Sequence, residues 1–342
     1  MKQLLLGAEA IAQAALDGGI SGVYAYPGTP STEITEFIQK SPQGKDQLVR
    51  SSWSANEKTA YESALGMSYA GKRSLVCMKH VGLNVAADGF MNSSITGVNG
   101  GLVIVVADDP SMHSSQNEQD SRVYGKFAMI PVLEPSNQQE AYDMTRYGFD
   151  LSEKLQLPVL LRIPTRLSHS RSVVNRKKTR EQNALNPSAE KGKWILLPAS
   201  ARKNYQGLLE KQKEMVSLSE NSIFNRVVEG IGSRAVIAFG IGFNYVMEVI
   251  EAFKLNIPVL KISQYPIPQD TVREFCDKYS DILVVEEGYP VIEELLKGYF
   301  GNSKFRGRLD GALPRTGELS PNVVAKALEV NSKEIQNVPE IV

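Results

Sequence analysis

Five stretches of this chain carry residue types that could do chemistry, and each comes just after a run that reads as a β-strand. Open parallel sheets bind ligands outside the carboxyl ends of their strands, so these positions are inspected first. Tyr26-Pro27-Gly28-Thr29-Pro30-Ser31 leads from a strand into a helix start whose backbone N–H groups could face an anion. Thr29 suits the N-cap and Pro30 the first helical position, so a plain capped turn is the simpler explanation of that segment alone. Glu57 follows strand-like Leu48–Trp53 in the first turn of a helix. The helix dipole favours a carboxylate there, usually as an ordinary surface charge. Lys79-His80-Val81-Gly82-Leu83-Asn84 combines a cation, an imidazole and an amide with a glycine that permits close approach, and it suits a ligand pocket as well as a connector. The polar run from Asp108 to Asp120, which includes His113, is long for a structureless loop in a compact domain. Phe239-Gly240-Ile241-Gly242-Phe243 is half a dinucleotide fingerprint, with Asn244 where the third glycine should fall.

Metal and nucleophile chemistry find little support. His80, His113 and His169 lack ligand spacing, and no HExxH, GxSxG or Walker lysine occurs. Cys77 lies in the apolar run SLVCM, where an inert core thiol is expected, and with Cys276 as the only other cysteine there is no disulfide framework, zinc site or iron–sulfur cluster to be built from thiols alone.

The elements that position these residues alternate. Residues 7–17 repeat apolar positions at helical spacing and end at Gly18-Gly19. A short strand over Val23–Tyr26 and a helix to about Lys40 follow, then a helix from Asn56 to Ala70. Ser74–Met78 and Leu102–Ala107 are continuous apolar runs of the kind a sheet buried on both faces requires. A helix over Asn137–Leu155 and a strand over Pro158–Ile163 complete a parallel α/β pattern. Between Ser168 and Lys193 the chain turns to Arg, Lys, Ser and Asn without apolar period, which reads as a solvated connector. A polar helix at Tyr205–Glu220 leads to a second module with strands at Ala235–Phe239, Val259–Ile262 and Ile282–Val285 and helices near 244–254, 269–279 and 290–300. The length of 342 residues, with 42% hydrophobic and 22% charged, fits two soluble domains. Equal numbers of basic and acidic residues, 38 each, leave no footprint for a nucleic acid partner. Glu9 and Asp17 interrupt any signal-like or bilayer-spanning run at the N-terminus, so no membrane attachment is expected and the compartment expected is the cytoplasm.

The segments YPGTPSTEI, SANEKTAYESALGMSYAGKRSLVCMKHVGLNVAADGFM, GGLVIVVADDPSMHSSQNEQDSR and LEPSNQQEAYDM, taken in order, resemble the alpha subunit of indolepyruvate ferredoxin oxidoreductases. These are thiamine-diphosphate enzymes of the 2-oxoacid:ferredoxin oxidoreductase group. The likeness is dense over about residues 7–173, thins in the connector, and returns at FGIGFNY, YPIP, VVEE and LDGALPRTGELSPNVV. It implies an α/β chain of two parallel-sheet domains. A pyrimidine-binding-like domain at 1–175 is followed by a linker and connecting helix at 176–233 and a transketolase C-terminal-like domain at 234–330. The family's Gly-Asp-Gly stretch with its downstream Asn, and its cysteine-rich tail, are not found in these residues. On that reading the chain is a shortened form or one piece of a split subunit. Thiamine diphosphate with Mg²⁺ is then expected only in the complete enzyme and not on this chain alone, and iron–sulfur clusters on other segments or a partner.

The resemblance implies roles for particular residues. Glu57 matches the glutamate that hydrogen-bonds the aminopyrimidine ring and drives it to its imino tautomer. Gly82 and Asn84 are expected beside the cofactor, and Thr29, His80 and His113 beside the bound 2-oxoacid. The complete enzyme would oxidatively decarboxylate indolepyruvate or another aryl 2-oxoacid to an acyl-CoA, with ferredoxin as acceptor. Partners would be a pyrophosphate-binding domain or subunit, ferredoxin, and a second copy of the chain in a homodimer. A non-catalytic protein that keeps the fold and docks to a partner is the alternative, and a nucleotide-binding module on Gly240–Gly242 a weaker one. Glu57 in a cleft favours the enzyme, and an exposed apolar face beside it favours docking.

Overall fold

The structure, a computed structural model, describes the chain except residues 191, 301–304, 309, 315–316 and 331–342, and the side chains of Tyr299 and Phe300. Positions 309, 315 and 316 of the segment LDGALPRTGELSPNVV therefore lie outside the described residues. Two compact units divide the chain. The first holds Met1–Asp109 and Ser121–Met215, and the second holds Pro110–Asp120 with the residues from Val216 onward.

The first unit runs β1 (Lys2–Leu6), α1 (Gly7–Asp17), β2 (Gly22–Ala25), α2 (Thr32–Lys40), α3 (Pro42–Lys45), β3 (Arg50–Trp53), α4 (Glu57–Tyr69), β4 (Ser74–Lys79), α5 (His80–Thr96), β5 (Leu102–Asp108), α6 (Ser121–Ala128), β6 (Val132–Leu133), α7 (Gln138–Leu155), β7 (Val159–Pro164), α8 (Thr165–His169) and β8 (Arg171–Asn175), and α9 (Pro198–Glu220) begins in it. Strands β6–β7–β5–β4–β2–β3 lie side by side in that order, every neighbouring pair parallel. Every residue of β4, β5 and β7 is buried, as their unbroken apolar runs require of strands covered on both faces. Helices α1, α2 and α7 pack together, and α4 packs on α5, which packs on α6. Because β2 leads outward to β3 while β4 leads the other way to β5, the loops leaving β2 and β4 diverge. The order reverses there, which is where an open α/β sheet leaves its ligand crevice.

Helix starts follow their caps. The Asn56 side chain accepts from the Thr59 N–H at 2.9 Å, and the Thr59 hydroxyl accepts from the Asn56 N–H at 3.2 Å. Asn137 caps α7 through the Glu140 N–H. Thr29, by contrast, is not a cap. The Ser31 hydroxyl donates to the Gly28 carbonyl and the Gly28 N–H donates to the Thr32 hydroxyl, so the turn closes first and α2 starts only at Thr32. Nor is the segment after Met78 a loop: β4 passes straight into α5, which carries His80, Gly82 and Asn84.

The polar stretch read as a connector is a strap bonded along the first unit. Arg176 holds the buried Asp17 carboxylate, the Arg180 N–H donates to the Asp17 carbonyl, the Arg180 guanidinium meets Asp150, and the Asn186 N–H donates to the Ala70 carbonyl. Its polar side chains are the attachments, so an absent apolar period did not mean an absent anchor. By contacts the strap belongs with the residues before it, and 110–120 with the second unit, unlike the expected spans 1–175, 176–233 and 234–330.

The second unit contains β9 (Arg226–Val228), β10 (Arg234–Phe239), α10 (Gly242–Ala252), β11 (Val259–Ile262), β12 (Gln264–Tyr265), α11 (Gln269–Lys278), β13 (Asp281–Val285), α12 (Val291–Phe300), β14 (Phe305–Arg306) and α13 (Pro321–Ala327). Its sheet runs β14–β13–β10–β11–β9, parallel except for β9 at the edge. Gly242 opens α10, and a Cβ there would stand 2.9 Å from the Val285 carbonyl oxygen. Helix–strand packing therefore accounts for that glycine without a nucleotide.

Candidate active site

Glu57 is the first residue of α4, directly after β3, and its side chain turns onto the first turn of α5. A Cβ built at Gly82 would stand 2.5 Å from Glu57 Oε1 and 2.6 Å from its Cγ, so only glycine leaves room for the carboxylate. The same logic continues along the helix pair. A Cβ at Gly89 would meet the Tyr61 ring at 3.1 Å, Ala86 between them is buried, and the Tyr61 hydroxyl shares a 2.6 Å hydrogen bond with Ser93. Small residues at 82, 86 and 89 let α5 approach α4 closely, and Tyr61–Ser93 fixes the pair further along. The carboxylate is held by shape: among the described residues no side-chain hydrogen bond or ion pair engages it, and it is half-buried.

Lys79 ends β4 at the point where the strand order reverses. Its stem lies against the β2 loop, with its Cβ 3.5 Å from where a Cβ on Gly28 would be. Its ammonium stands 3.9 Å from Asp109 Oδ2, and the Thr165 hydroxyl donates to Asp109 Oδ1 at 2.8 Å. Burial pushes the Lys79 pKa down, against the opposing pull of Asp109. Farther along the same edge His169 meets Glu33 at 3.4 Å, which holds the imidazole above and the carboxyl below their usual ranges. Behind the edge, Arg162 is fully buried. It donates to Asp108 Oδ2 at 2.6 Å and to Glu134, while the Ser121 N–H also reaches Asp108 and Arg122 lies 4.0 Å from Glu134.

The structure thus brings Glu57 and Gly82 together and places Thr29, exposed, on the β2 loop at the same carboxyl edge. His80 is buried at the start of α5. Asn84 is exposed and accepts a hydrogen bond from the Tyr124 hydroxyl of α6. Near it Val85 is 49% exposed, and on α6 Val123 and Phe127 are 47% and 70% exposed, an apolar surface beside the crevice. His113 belongs to the second unit, where its Nε2 lies 3.2 Å from Glu318 Oε2. There the run ending at Asp120 is fastened by Tyr289, whose N–H donates to Asp120 and whose hydroxyl donates to the Glu118 carbonyl. Both cysteines are buried free thiols, and burial pushes the Cys77 thiol up. In the sequence Lys79 stands out only as a cation beside His80 and Asn84, and Asp109 only as part of the polar run from Asp108 to Asp120. Their signal was their place, the polar ends of two fully buried apolar strands.

The fit to thiamine diphosphate is good at one end. A half-buried carboxylate on a helix start, facing a helix whose near position admits only hydrogen, suits an aminopyrimidine ring. At the diphosphate end, among the described residues no group of three or more His, Cys, Asp or Glu could hold a metal ion. No helix among them is long and apolar enough to cross a membrane.

Residues 13–209 match the family described as pyruvate flavodoxin/ferredoxin oxidoreductase, thiamine diP-binding. The chain is 43% identical over 339 residues to the indolepyruvate oxidoreductase subunit IorA of Archaeoglobus fulgidus, covering 96% of this chain and 54% of that protein. It is 41% identical over 336 residues to the subunit of the same name from Methanothermobacter thermautotrophicus, with the same two shares. It therefore spans about half the length of the curated relatives it matches. Among solved structures, a 2-oxoglutarate:ferredoxin oxidoreductase from Magnetococcus marinus superposes with a TM-score of 0.77 at 17% identity, over 96% of this chain and 65% of that one. A split gene transketolase, an inactive beta4 tetramer, gives 0.57 at 14% identity over 96% and 99%. At such identities these two show the fold.

Proposed function

This chain belongs to the pyruvate flavodoxin/ferredoxin oxidoreductase family, and from that premise we propose that it forms the pyrimidine-binding half of an enzyme that oxidatively decarboxylates indolepyruvate or another aryl 2-oxoacid to an acyl-CoA with ferredoxin as acceptor. The observation that carries the reading is the Glu57 carboxylate seated on Gly82 at the carboxyl edge of a parallel sheet. Relatives named for indolepyruvate, at 40–43% identity over nearly the whole chain, support the substrate class.

Bound at this edge, thiamine diphosphate would supply the carbon nucleophile that a 2-oxoacid needs in order to lose carbon dioxide. Glu57 would share a proton between its carboxylate and the aminopyrimidine ring, and Gly82 leaves the room that this carboxylate occupies. The β2 loop presents the Thr29 hydroxyl as a donor to the substrate carboxylate. His80, buried at the start of α5, would stand beside the bound 2-oxoacid. Asn84, which accepts a hydrogen bond from Tyr124, would lie beside the cofactor, and His113, paired with Glu318 in the second unit, would contact the oxoacid. Mg²⁺, the diphosphate ligands and the iron–sulfur clusters belong to other segments or subunits of a cytoplasmic assembly. The exposed Val85, Val123 and Phe127 supply apolar surface for a second copy of the chain or for the pyrophosphate-binding domain.

The test is turnover by the full-length protein with its partner subunit, read as reduction of a viologen dye in the presence of coenzyme A. We expect kcat/KM for indolepyruvate or phenylpyruvate to exceed that for pyruvate and 2-oxoglutarate by about 10-fold or more, the range one well-filled apolar pocket provides. Absence of turnover with every 2-oxoacid would leave the docking reading in its place.

A further inference from the structure

A second concave site lies in the first unit, at the edge of the sheet opposite Glu57. It is a cleft of about 240 Å³ between the last turn of α5, the turn from α7 to β7, and α9, and Gly97, Gln156, Lys193, Lys203, Asn204 and Lys211 are among its walls. Three of its walls are thus lysines, and no acidic residue is among the described residues that line it. The volume falls below the roughly 300–1,000 Å³ that drug-sized ligands occupy, so a fitting occupant is small. Helices α5 and α7 both end here, at Thr96 and Leu155. Each C-terminal end carries roughly half a negative charge, together about one, so three lysines exceed what the carbonyl ends call for. The excess is felt inside the cluster. Burial pushes the Lys211 pKa down, against the pull of Glu214 and aided by the charge of Lys193. Glu214 is itself shared with Lys154, 3.6 Å away. The Lys193 ammonium stands 4.7 Å from the centre of the Trp194 ring, and that ring stacks on Tyr69 at 4.0 Å, which ties the segment before α9 to α4.

We propose that this cleft is an anion site that takes a phosphate group, free or as a small ester, between Lys193, Lys203 and Lys211. The inference goes beyond the oxoacid reading and is independent of it, since the cleft uses none of the residues named for that chemistry. A phosphate carries the charge that cancels the excess, and its several oxygens can accept from more than one ammonium at once. The Asn204 amide adds a neutral donor on the same wall. Bound there, the anion would tie α9 and the segment before it to the ends of α5 and α7. A purely structural role, in which the lysines serve only the helix ends, gives a different set of outcomes and can be told apart.

The experiment uses the full-length protein with its partner subunit, loaded with thiamine diphosphate and Mg²⁺, and reads hydrogen exchange by mass spectrometry in peptides covering residues 193–211. Inorganic phosphate and glycerol 3-phosphate are titrated separately, against sodium chloride at matched ionic strength. Saturable slowing of exchange is expected with phosphate and none with chloride, and the probe that saturates at the lower concentration identifies the form bound. Lys211→Met and Lys193→Met should each raise the half-saturating concentration about 10-fold, the loss of one charge-assisted contact. Lys211→Arg, which keeps the charge, should stay within about 3-fold of wild type. Equal slowing by chloride overturns the proposal, because screening alone would then account for it. An unchanged half-saturating concentration in both methionine variants overturns it as well. So does the result a structural role predicts, in which Lys211→Met melts below wild type without phosphate and neither protein responds to either probe. The oxoacid reading is untouched by all of these, because turnover decides it separately.

Discussion

Two carboxylate sites within one unit are built in opposite ways. Asp108 and Glu134 are fully buried, and Arg162 bonds both at once, with Arg122 and the Ser121 N–H completing the cluster. Glu57 is half-buried, and a glycine sits where a bonding partner would be. A carboxylate held by fixed cations is committed to the fold, because removing either partner strands a charge in a low-dielectric interior. One placed by shape keeps its lone pairs for something that arrives. The first kind of site is paid for in stability and the second in chemistry, so mutation should separate them.

The largest effect is expected at Glu57. Glu57→Gln keeps the shape on Gly82 but cannot exchange the proton, and turnover of the full-length enzyme should fall by about 10²- to 10⁴-fold. The urea midpoint should hardly move, because the carboxylate makes no bond for the amide to lose. Arg162→Met reverses the pattern. It leaves Asp108 and Glu134 buried without their shared cation and should cost about 3–5 kcal/mol in urea unfolding, the penalty typical of a broken buried pair. If Arg162→Met is as stable as wild type while Glu57→Gln unfolds, the contrast fails.

Gly82→Ala sharpens it. The new methyl would stand 2.5 Å from Glu57 Oε1 and push the carboxylate aside, so turnover should drop about 10²-fold, as a displacement near 1 Å costs at a reacting centre. Stability should fall by about 1 kcal/mol, the ordinary size for a point change. Gly89→Ala, with its tightest contact at 3.1 Å to the Tyr61 ring, should lose stability without a comparable loss of turnover.

The smallest effect belongs to the pair at His169 and Glu33. His169 is raised by its hydrogen bond to Glu33, so its contribution is complete below about pH 6.5, the ordinary histidine value, and fades as pH rises through the raised value. Glu33 is lowered by the same bond, so its contribution is present above the ordinary glutamate range and fades as pH falls through the lowered value. Both side chains are about one-third exposed, so solvent screening keeps the pair to about 0.5 kcal/mol. His169→Ala should remove that amount between those limits and change nothing well above them, as read from urea midpoints across pH.

Much of the frame was legible because its signals are local. The apolar runs of β4, β5 and β7, the Asn56 and Asn137 caps, and the glycines after α1 each announce an element within a few residues. Helix α5 escaped because Gly82 and Gly89, needed for contact with α4, weaken the helical pattern of the sequence that contains them. The strap from Arg176 to Asn186 escaped because hydrogen bonds to Asp17, Asp150 and the Ala70 carbonyl replace an apolar face. Glu57 was legible as a family match, but its seat on Gly82 joins two helices and exists only once they pack. Lys79 and Asp109 needed the strand order, which no single segment encodes.

The most direct test of the Glu57 assignment is hydrogen–deuterium exchange at the reactive ring carbon of thiamine diphosphate bound to the full-length protein, followed by NMR after acid quench. This reads the proton relay without the oxoacid, the iron–sulfur clusters or ferredoxin. With the carboxylate as proton partner, exchange should be fast in the wild type and slower by about 10²-fold or more in Glu57→Gln at equal cofactor occupancy. Equal rates in the two proteins would contradict the account and return Glu57 to the rank of a surface charge at a helix start.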